Sequence, residues 1–190
     1  MAITYHDLYL KTRMALSSAG IEAAQLEARE ILCAAAEKTA EELYRDISLY
    51  TTDAIAEKTE ALQARRLAGE PIAYLLGEWS FCGLPFFVSP AALIPRVDTE
   101  MLAQLAMNRL KEHPGHTRIL DLCAGTGCVG LTAAALLKNT RAVLVDLSDG
   151  ALDLCKRNIR RHKLTGRAVS LKGDALQAPS HALGQFDVLV

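Results

Sequence analysis

The chain has 190 residues, of which 51% are hydrophobic and 23% are charged, enough to bury a core and to form one domain with a second, smaller one. Its formal net charge of -1 argues against general nucleic-acid binding, which requires a clearly basic surface. No apolar run reaches the roughly 20 residues that a membrane-spanning helix needs. We therefore predict neither a membrane partner nor direct contact with nucleic acid.

Residues 1–75 are predicted to form a separate helical module of four or five helices. Apolar residues recur at helical spacing from Tyr5 to Leu16 and again from Ala24 to Ala35. Thr39 to Glu42 has the form of a capping box that opens a third helix. A fourth helix starts at Thr51 to Asp53 and runs to Gly69. Two interpretations stay open for this module, a stabilising lid or a domain that recognises a protein substrate.

Residues 76–97 are predicted to form a hairpin and a linker. Trp79 to Val88 has the composition of a short hairpin, with Gly83 to Pro85 as its turn. Pro95 restricts Ile94 to extended geometry, so we expect a rigid corner that presents Arg96 toward a cofactor crevice and helps to shape the site. The alternative role for Arg96 is a salt bridge to Asp98 or Glu100 that fixes the corner.

Residues 118–137 have the pattern of a strand, a glycine loop and a helix. Arg118 to Leu120 is the strand, Asp121 ends it, and Leu131 to Leu137 is helical. Residues 125–130 match the dinucleotide-binding spacing of glycines, with Asp146 at the distance such a site requires. However, the Asp121 carboxylate would repel a pyrophosphate and suits the ammonium and sulfonium of S-adenosylmethionine. The loop therefore favours a methyl-donor site over an NAD-linked oxidoreductase.

Two further predicted strands end in acids. Arg141 to Asp146 places a carboxylate where it could accept hydrogen bonds from both ribose hydroxyls, and Ala168 to Asp174 places one where the adenine amino group could be read. Strands and helices alternate, so we predict parallel βαβ units over residues 98–190 with one crevice at the carboxyl ends of the strands. For any one of these Asp residues, a helix cap or a turn is the alternative role.

Two segments outside the glycine loop, Gly69–Gly77 and Leu93–Glu100, resemble one family in particular. It comprises the glutamine-N5 methyltransferases of peptide chain release factors, the HemK or PrmC proteins. The resemblance covers nearly the whole chain. It implies an α/β protein in which an N-terminal helical bundle precedes a class I, Rossmann-like methyltransferase domain, here only its first half. The implied substrate is the glutamine of the Gly-Gly-Gln motif in class 1 release factors, which the helical module would contact.

The resemblance also implies the residues that bind S-adenosyl-L-methionine and its product S-adenosyl-L-homocysteine. These positions, with the Asp121 inferred above, are Asp121, Cys123, Ala124, Gly125, Thr126, Gly127, Asp146, Asp174 and Ala175. Cys123 stands where many members have glycine, which we expect to be tolerated only if its φ is negative. Ala175 is small where a relative can offer a flat side chain against adenine. We predict no metal site, because the cysteines and histidines lack metal-ligand spacing.

Residues 185–190 are predicted to form a fourth strand. In the resembled family an Asn-Pro-Pro-Tyr motif follows, and it grips the substrate amide by orientation and electrostatic preorganisation. The motif is absent from this sequence, so we identify no catalytic residue and expect these 190 residues alone to bind the donor without transferring methyl groups. Alternatives are a ribosomal-protein glutamine methyltransferase and a non-catalytic fragment that binds release factors.

The remaining polar residues give weaker signals. The five cysteines show no CxxC pair and no metal-ligand spacing, which is typical of thiols in a reducing cytoplasm. A run of six cations between Lys156 and Arg167 lies on a predicted helix and the turn after it. It is either a solvated helix face or a docking surface for a substrate in complex with RNA.

Overall fold

The computed structural model describes residues 3–177 and 183–190. The chain divides by its internal contacts into two compact units, Met1–Leu76 and Gly77–Val190. The predicted linker, residues 76–97, therefore lies almost entirely in the second unit. Residues 178–182 of the predicted methyltransferase domain, 98–190, lie outside the described residues.

The first unit is helical, and five helices are described in it. They are α1 (Tyr5–Ser18), α2 (Ala24–Ala36), α3 (Ala40–Arg45), α4 (Asp53–Leu67) and α5 (Ile72–Leu76). The predicted capping box is confirmed: the Thr39 hydroxyl accepts from the Glu42 amide, and the Glu42 carboxylate accepts from the Thr39 amide. Thr52 caps α4 by a single bond, in which its hydroxyl accepts from the Ile55 amide.

Two apolar clusters and a partly buried ion pair link the helices of this unit. Leu8, Leu32 and Leu43 belong to one cluster, and Leu16 and Ile31 belong to the other; all five are buried. A bidentate ion pair joins α2 to α4, with the Arg66 guanidinium donating to both oxygens of Glu27 at 2.6 and 3.2 Å. Because apolar residues supply both clusters at helical spacing, the periodicity of the sequence located the helices correctly.

The second unit consists of a hairpin followed by an α/β domain. The hairpin strands are β1 (Glu78–Phe81) and β2 (Leu84–Phe87); the other elements are α6 (Val97–Lys111), β3 (Thr117–Leu122), α7 (Cys128–Leu136), β4 (Thr140–Asp146), α8 (Asp149–Arg161), β5 (Ala168–Lys172) and β6 (Val188–Leu189). The last four strands form a parallel sheet in the order β5-β4-β3-β6. The predicted βαβ units and the fourth strand are confirmed.

The predicted hairpin turn was wrong. Phe81 pairs with Leu84, so Cys82 and Gly83 form a two-residue turn rather than Gly83 to Pro85. Both residues have positive φ, 49° and 74°, as a type I′ turn requires to match the twist of the strands. Pro85 was misassigned because it is a turn former, whereas here it lies inside an outer strand.

The core of this unit lies against one face of the sheet. Buried residues of α6, α7 and α8 cover Ile119 of β3 and Leu144 of β4, together with Phe81 and Phe86 of the hairpin. Leu120, Val143 and Val145 point to the opposite face and form a smaller cluster. Since the strands are parallel, their carboxyl ends meet at one edge, and the candidate site lies there.

Candidate cofactor site

The glycine loop joins the end of β3 to the start of α7. Three of its residues have positive φ: Cys123 (56°), Gly125 (56°) and Gly127 (76°). The Ala124 amide donates to the Val145 carbonyl at 3.0 Å, which fixes the loop to the neighbouring strand β4. Cys123 therefore does not meet the condition of a negative φ under which we expected a cysteine to be tolerated. A left-handed L-residue costs roughly 1–2 kcal/mol, and the hydrogen bond from Ala124 to β4 offsets part of that cost.

Close packing beneath the loop explains its glycines. A Cβ at Gly127 would lie 2.9 Å from Leu144 Cδ1, and one at Gly130 would lie 2.6 Å from Leu144 Cδ2 and 3.1 Å from the Asp121 Cβ. Leu144 is completely buried, so it has little space into which it can move. The first turn of α7 can therefore approach β4 only if both positions lack a side chain.

A cavity of about 370 Å³ opens above this loop, wholly within the second unit. The predicted residues that line it are Arg96, Asp121, Cys123, Ala124, Gly125, Thr126 and Asp146. Gly127 is not in the lining and belongs to the packed layer beneath it. Asp174 and Ala175 are not in the lining either, so the structure brings together most of the predicted set but not these two.

Asp146 is held rigidly at the end of β4. Its Oδ2 accepts from the Gly125 amide at 2.8 Å, and its Oδ1 accepts from the Ser148 amide at 2.9 Å. Each carboxylate oxygen can accept more than one hydrogen bond, so both remain able to receive a ligand hydroxyl. The carboxylate therefore links the glycine loop to the start of α8 and also faces the cavity.

Asp121 is a buried carboxylate at the floor of the cavity, with 5% of its surface exposed. Its Oδ2 accepts from the Gly130 amide at 2.9 Å. Burial raises the Asp121 pKa to about 6, helped by the nearby charge of Asp146 and opposed by the Gly130 hydrogen bond. The group is thus mainly ionised at neutral pH, and a cation beside it would favour the charged form further.

Asp174 follows β5 and bonds locally. Its Oδ1 accepts from the Leu176 amide at 2.9 Å, an arrangement typical of a turn residue, and Ala175 is exposed. The Gly173 amide donates to the Asp146 carbonyl at 3.1 Å, which joins this turn to the end of β4. Adenine-side roles for Asp174 and Ala175 stay predictions.

Sequence reasoning missed the residues that support the loop from elsewhere in the chain. Asn158 of α8 is fully buried, and its Oδ1 accepts from the Phe87 amide at 2.8 Å. Its Nδ2 donates to the carbonyls of Phe87 and Thr126 at 3.1 and 2.9 Å. One amide thus ties the hairpin to the glycine loop. The available signal was a polar residue on the apolar face of α8, between Cys155 and Ile159.

Buried thiols and two alanines complete the surroundings of the loop. The Cys155 thiol donates to the Gly125 carbonyl at 3.3 Å, and Ala91 and Ala92 line the cavity from the segment before α6. Burial raises the pKa of the Cys128 and Cys155 thiols to about 12, so both stay protonated and take no nucleophilic role.

Arg96 lies at the cavity wall immediately before α6. Within the described residues it forms no ion pair with Asp98 or Glu100. Glu100 instead accepts from the Cys82 amide at 2.7 Å and so ties α6 to the hairpin turn. The salt-bridge alternative was wrong: neither Asp98 nor Glu100 pairs with Arg96 among the described residues, and Arg96 lines the cavity instead.

Residues 3–177 and 183–190 contain neither a membrane-spanning helix nor a cluster of metal ligands. No helix there is long and apolar enough to cross a membrane. The same residues contain no group of three or more His, Cys, Asp or Glu that could hold a metal ion.

Family models match both units of the chain. Residues 7–77 match the PrmC N-terminal domain, and residues 96–190 match the methyltransferase small domain. The second match covers half of the chain and contains the whole glycine loop, Asp121 and Asp146.

Individual relatives agree with the family models. A protein of Nitratidesulfovibrio vulgaris named release factor glutamine methyltransferase is 35% identical over 90% of this chain and 57% of its own length. A protein of the same name from Aliivibrio fischeri is 33% identical over the whole chain and 66% of its own length. The chain therefore spans less than two thirds of the length of each of these two relatives.

One similar solved structure is a SAM-dependent methyltransferase of Thiobacillus denitrificans in complex with S-adenosyl-L-homocysteine. It is 26% identical over 46% of this chain and 40% of its own, with a TM-score of 0.37.

Proposed function

We propose that this chain, which belongs to the family of the methyltransferase small domain and begins with a PrmC N-terminal domain, binds S-adenosyl-L-methionine in the cavity above its glycine loop. The observation that carries the proposal is the pair of carboxylates, Asp121 and Asp146, that share one cavity beside the start of α7. The resemblance inferred from the sequence is confirmed by both family matches.

The chemistry of the cavity suits this donor. The Asp121 carboxylate, buried and short of hydrogen bonds, would attract the cationic methionine part of the ligand. Asp146 already aligns two backbone amides, and its free lone pairs suit a ribose diol. Two carboxylates in one pocket repel a pyrophosphate, so they disfavour a dinucleotide. When bound, S-adenosylmethionine supplies an electrophilic methyl group; the side chains described here orient the ligand and exclude water.

Calorimetric titration with S-adenosyl-L-homocysteine and, separately, NADH tests the donor site. We expect the wild-type chain to bind the homocysteine product and not NADH. Asp146→Ala removes both backbone hydrogen bonds of that carboxylate and should abolish binding. Asp153→Ala is a matched control, because Asp153 is an exposed acid of α8 whose partner is the neighbouring exposed Lys156. Binding of NADH, or undiminished product binding by Asp146→Ala, would contradict the proposal.

We further propose that the protein substrate is a peptide chain release factor and that the methyl group goes to the glutamine side-chain nitrogen of its Gly-Gly-Gln motif. The support is the shared name of the relatives together with the match of residues 7–77 to the PrmC N-terminal domain. Binding of this chain to a purified class 1 release factor, compared with a ribosomal protein, tests the assignment. Preference for the ribosomal protein would favour the alternative acceptor.

Asp174, Ala175 and Arg96 complete the proposed site as the adenine-side and wall residues. Asp174 and Arg96 are each replaced by an uncharged residue and Ala175 by a larger one, and the same titration of each variant tests these residues one at a time. We also propose that the protein works in the cytoplasm, which the five free cysteines support.

A further inference from the structure

One wall of the donor cavity is a single stretch of chain between the hairpin and α6. Residues 91–96, which we call the wall segment, all line the cavity, as do residues 121–126 of β3 and the glycine loop. The wall segment follows Phe87, whose backbone amide and carbonyl both bond to Asn158. It precedes α6, which Glu100 ties to the hairpin turn. Both ends of the wall segment are therefore attached to other elements of the unit.

Two alanines of the wall segment approach glycines on the elements that hold Asp146. A Cβ at Gly125 would lie 3.6 Å from the Ala92 Cβ, and one at Gly150 would lie 3.0 Å from the Ala91 Cβ. The Gly125 amide donates to the Asp146 carboxylate, and Gly150 is in the first turn of α8, whose N-cap amide donates to the same carboxylate. The wall segment therefore meets the rest of the cavity beside the carboxylate that is proposed to bind the ribose.

Gly150 lacks a side chain at a position where the backbone would accept one. Its φ lies outside the left-handed region, and a glycine in a helix is less favourable than an alanine because it loses more backbone entropy on folding. The atoms nearest to an added Cβ are the Ala91 Cβ at 3.0 Å, the Ser148 Oγ at 3.7 Å and the Ala91 Cα at 4.0 Å. Carbon atoms that are not bonded are most stable about 3.5–4.0 Å apart, so of these three atoms only the Ala91 Cβ is too close. The approach of the wall segment therefore explains the glycine.

We propose that Gly150 and Ala91 are positioning residues of the donor site, because their close approach lets the wall segment close over the Asp146 end of the cavity. These roles rest on the proposed function, since they concern a bound donor. An alanine at position 150 would require the wall segment to move by a few tenths of an ångström. The ligand would then lose van der Waals contacts, which weaken steeply with distance, and water would reach the hydrogen bonds of Asp146 more easily.

Titration with S-adenosyl-L-homocysteine across a double-mutant cycle tests the contact. We expect Gly150→Ala to bind the product about fivefold more weakly than the wild type does, the effect of a modest overpacking penalty. In an Ala91→Gly background the same substitution should have no effect, because the nearest remaining neighbours lie at 3.7 and 4.0 Å. Gly166→Ala is the matched control, since a Cβ there meets nothing within 4 Å. The free energy of unfolding of Gly150→Ala should not fall, because alanine favours the helix, whereas a merely structural role predicts a loss of stability.

Hydrogen exchange in the ligand-free chain tests the same contact independently of the donor. The amides of Ala91 and Ala92, which donate to Ser89 at 3.4 and 3.1 Å, should exchange faster in Gly150→Ala. Faster exchange together with weaker product binding that disappears in the Ala91→Gly background supports the proposal. Undiminished binding by Gly150→Ala, an equal loss in the Ala91→Gly background or in Gly166→Ala, or unchanged exchange would overturn it. If the wild-type chain binds no product, the proposed donor site fails, whereas the exchange comparison still decides whether Gly150 positions the wall segment.

Discussion

The helical unit and the methyltransferase unit differ in the sequence separation of the contacts that fix their structures. In the first unit, α3 begins where Thr39 and Glu42 cap each other across three residues, so the decisive contacts are local. In the second unit the cavity depends on Asn158, which bonds to a residue 71 positions away and to another 32 positions away. Local signals are readable from a sequence, whereas long-range contacts depend on how the sheet brings distant segments together. The two units should therefore respond differently to single substitutions.

The largest effect is expected at Asn158. Asn158→Ala removes three hydrogen bonds and leaves backbone groups of Phe87 and Thr126 without partners, so we expect a loss of about 4 kcal/mol in the free energy of unfolding. Denaturation followed by fluorescence of Trp79, the single tryptophan, reports on this unit. Asn108→Ala is the control, because Asn108 is exposed and its side chain accepts a bond from the exposed Gln104 one turn earlier. Equal losses in both variants would show that Asn158 does not connect the hairpin to the loop.

Asp121 should reveal the cost of a buried charge. Its pKa is raised from 3.8 to about 6 in the folded chain, so the unfolded chain releases the proton first as pH rises. Stability from this group therefore falls between pH 4 and pH 6 and stays low above pH 6. The Asn side chain of Asp121→Asn carries no charge. The free energy of unfolding of this variant should therefore rise relative to that of the wild type through that interval, by about 3 kcal/mol at pH 7.

The same substitution separates stability from donor binding. In Asp121→Asn the side-chain amide oxygen can still accept from Gly130, but the attraction for a cationic ligand is lost. We expect weaker donor binding at pH 7 together with higher stability, measured by titration and by urea unfolding at pH 4 and pH 7. A stability difference that is the same at both pH values would contradict the burial argument.

Gly130 tests the packing of α7 against β4. Gly130→Ala places a Cβ 2.6 Å from a side-chain atom of the buried Leu144, so we expect a loss of about 2 kcal/mol. Gly166→Ala is a matched control, since a Cβ there meets nothing within 4 Å. Trp79 fluorescence during denaturation measures both variants. Similar stability of the two would mean that the core around Leu144 can expand.

The smallest effect belongs to the helical unit. Thr39→Ala removes one side-chain cap from α3 and should cost about 1 kcal/mol. Hydrogen exchange of the α3 amides measures the change locally, and Thr39→Ser, which keeps the hydroxyl, should behave like the wild type. Exchange that also increases in the parallel sheet would contradict the local character of this contact.

The sequence by itself determined the helical elements, the alternation of strands and helices, and the carboxylates at the strand ends. These follow from periodicity, capping and the rule that parallel strands share a carboxyl edge. It also determined the family, because Gly69–Gly77 and Leu93–Glu100 carry a specific pattern.

Only the tertiary structure decided the backbone conformation of the loops and turns and which strand-end residues reach the cavity. Cys123 is left-handed because the Ala124 amide bonds to β4, and the hairpin turns at Cys82 because Phe81 pairs with Leu84. The cavity includes Asp146 and excludes Asp174, whose carboxylate turns back to the Leu176 amide. In each case the conformation depends on which groups are brought together in the folded chain, which local preferences in the sequence do not specify.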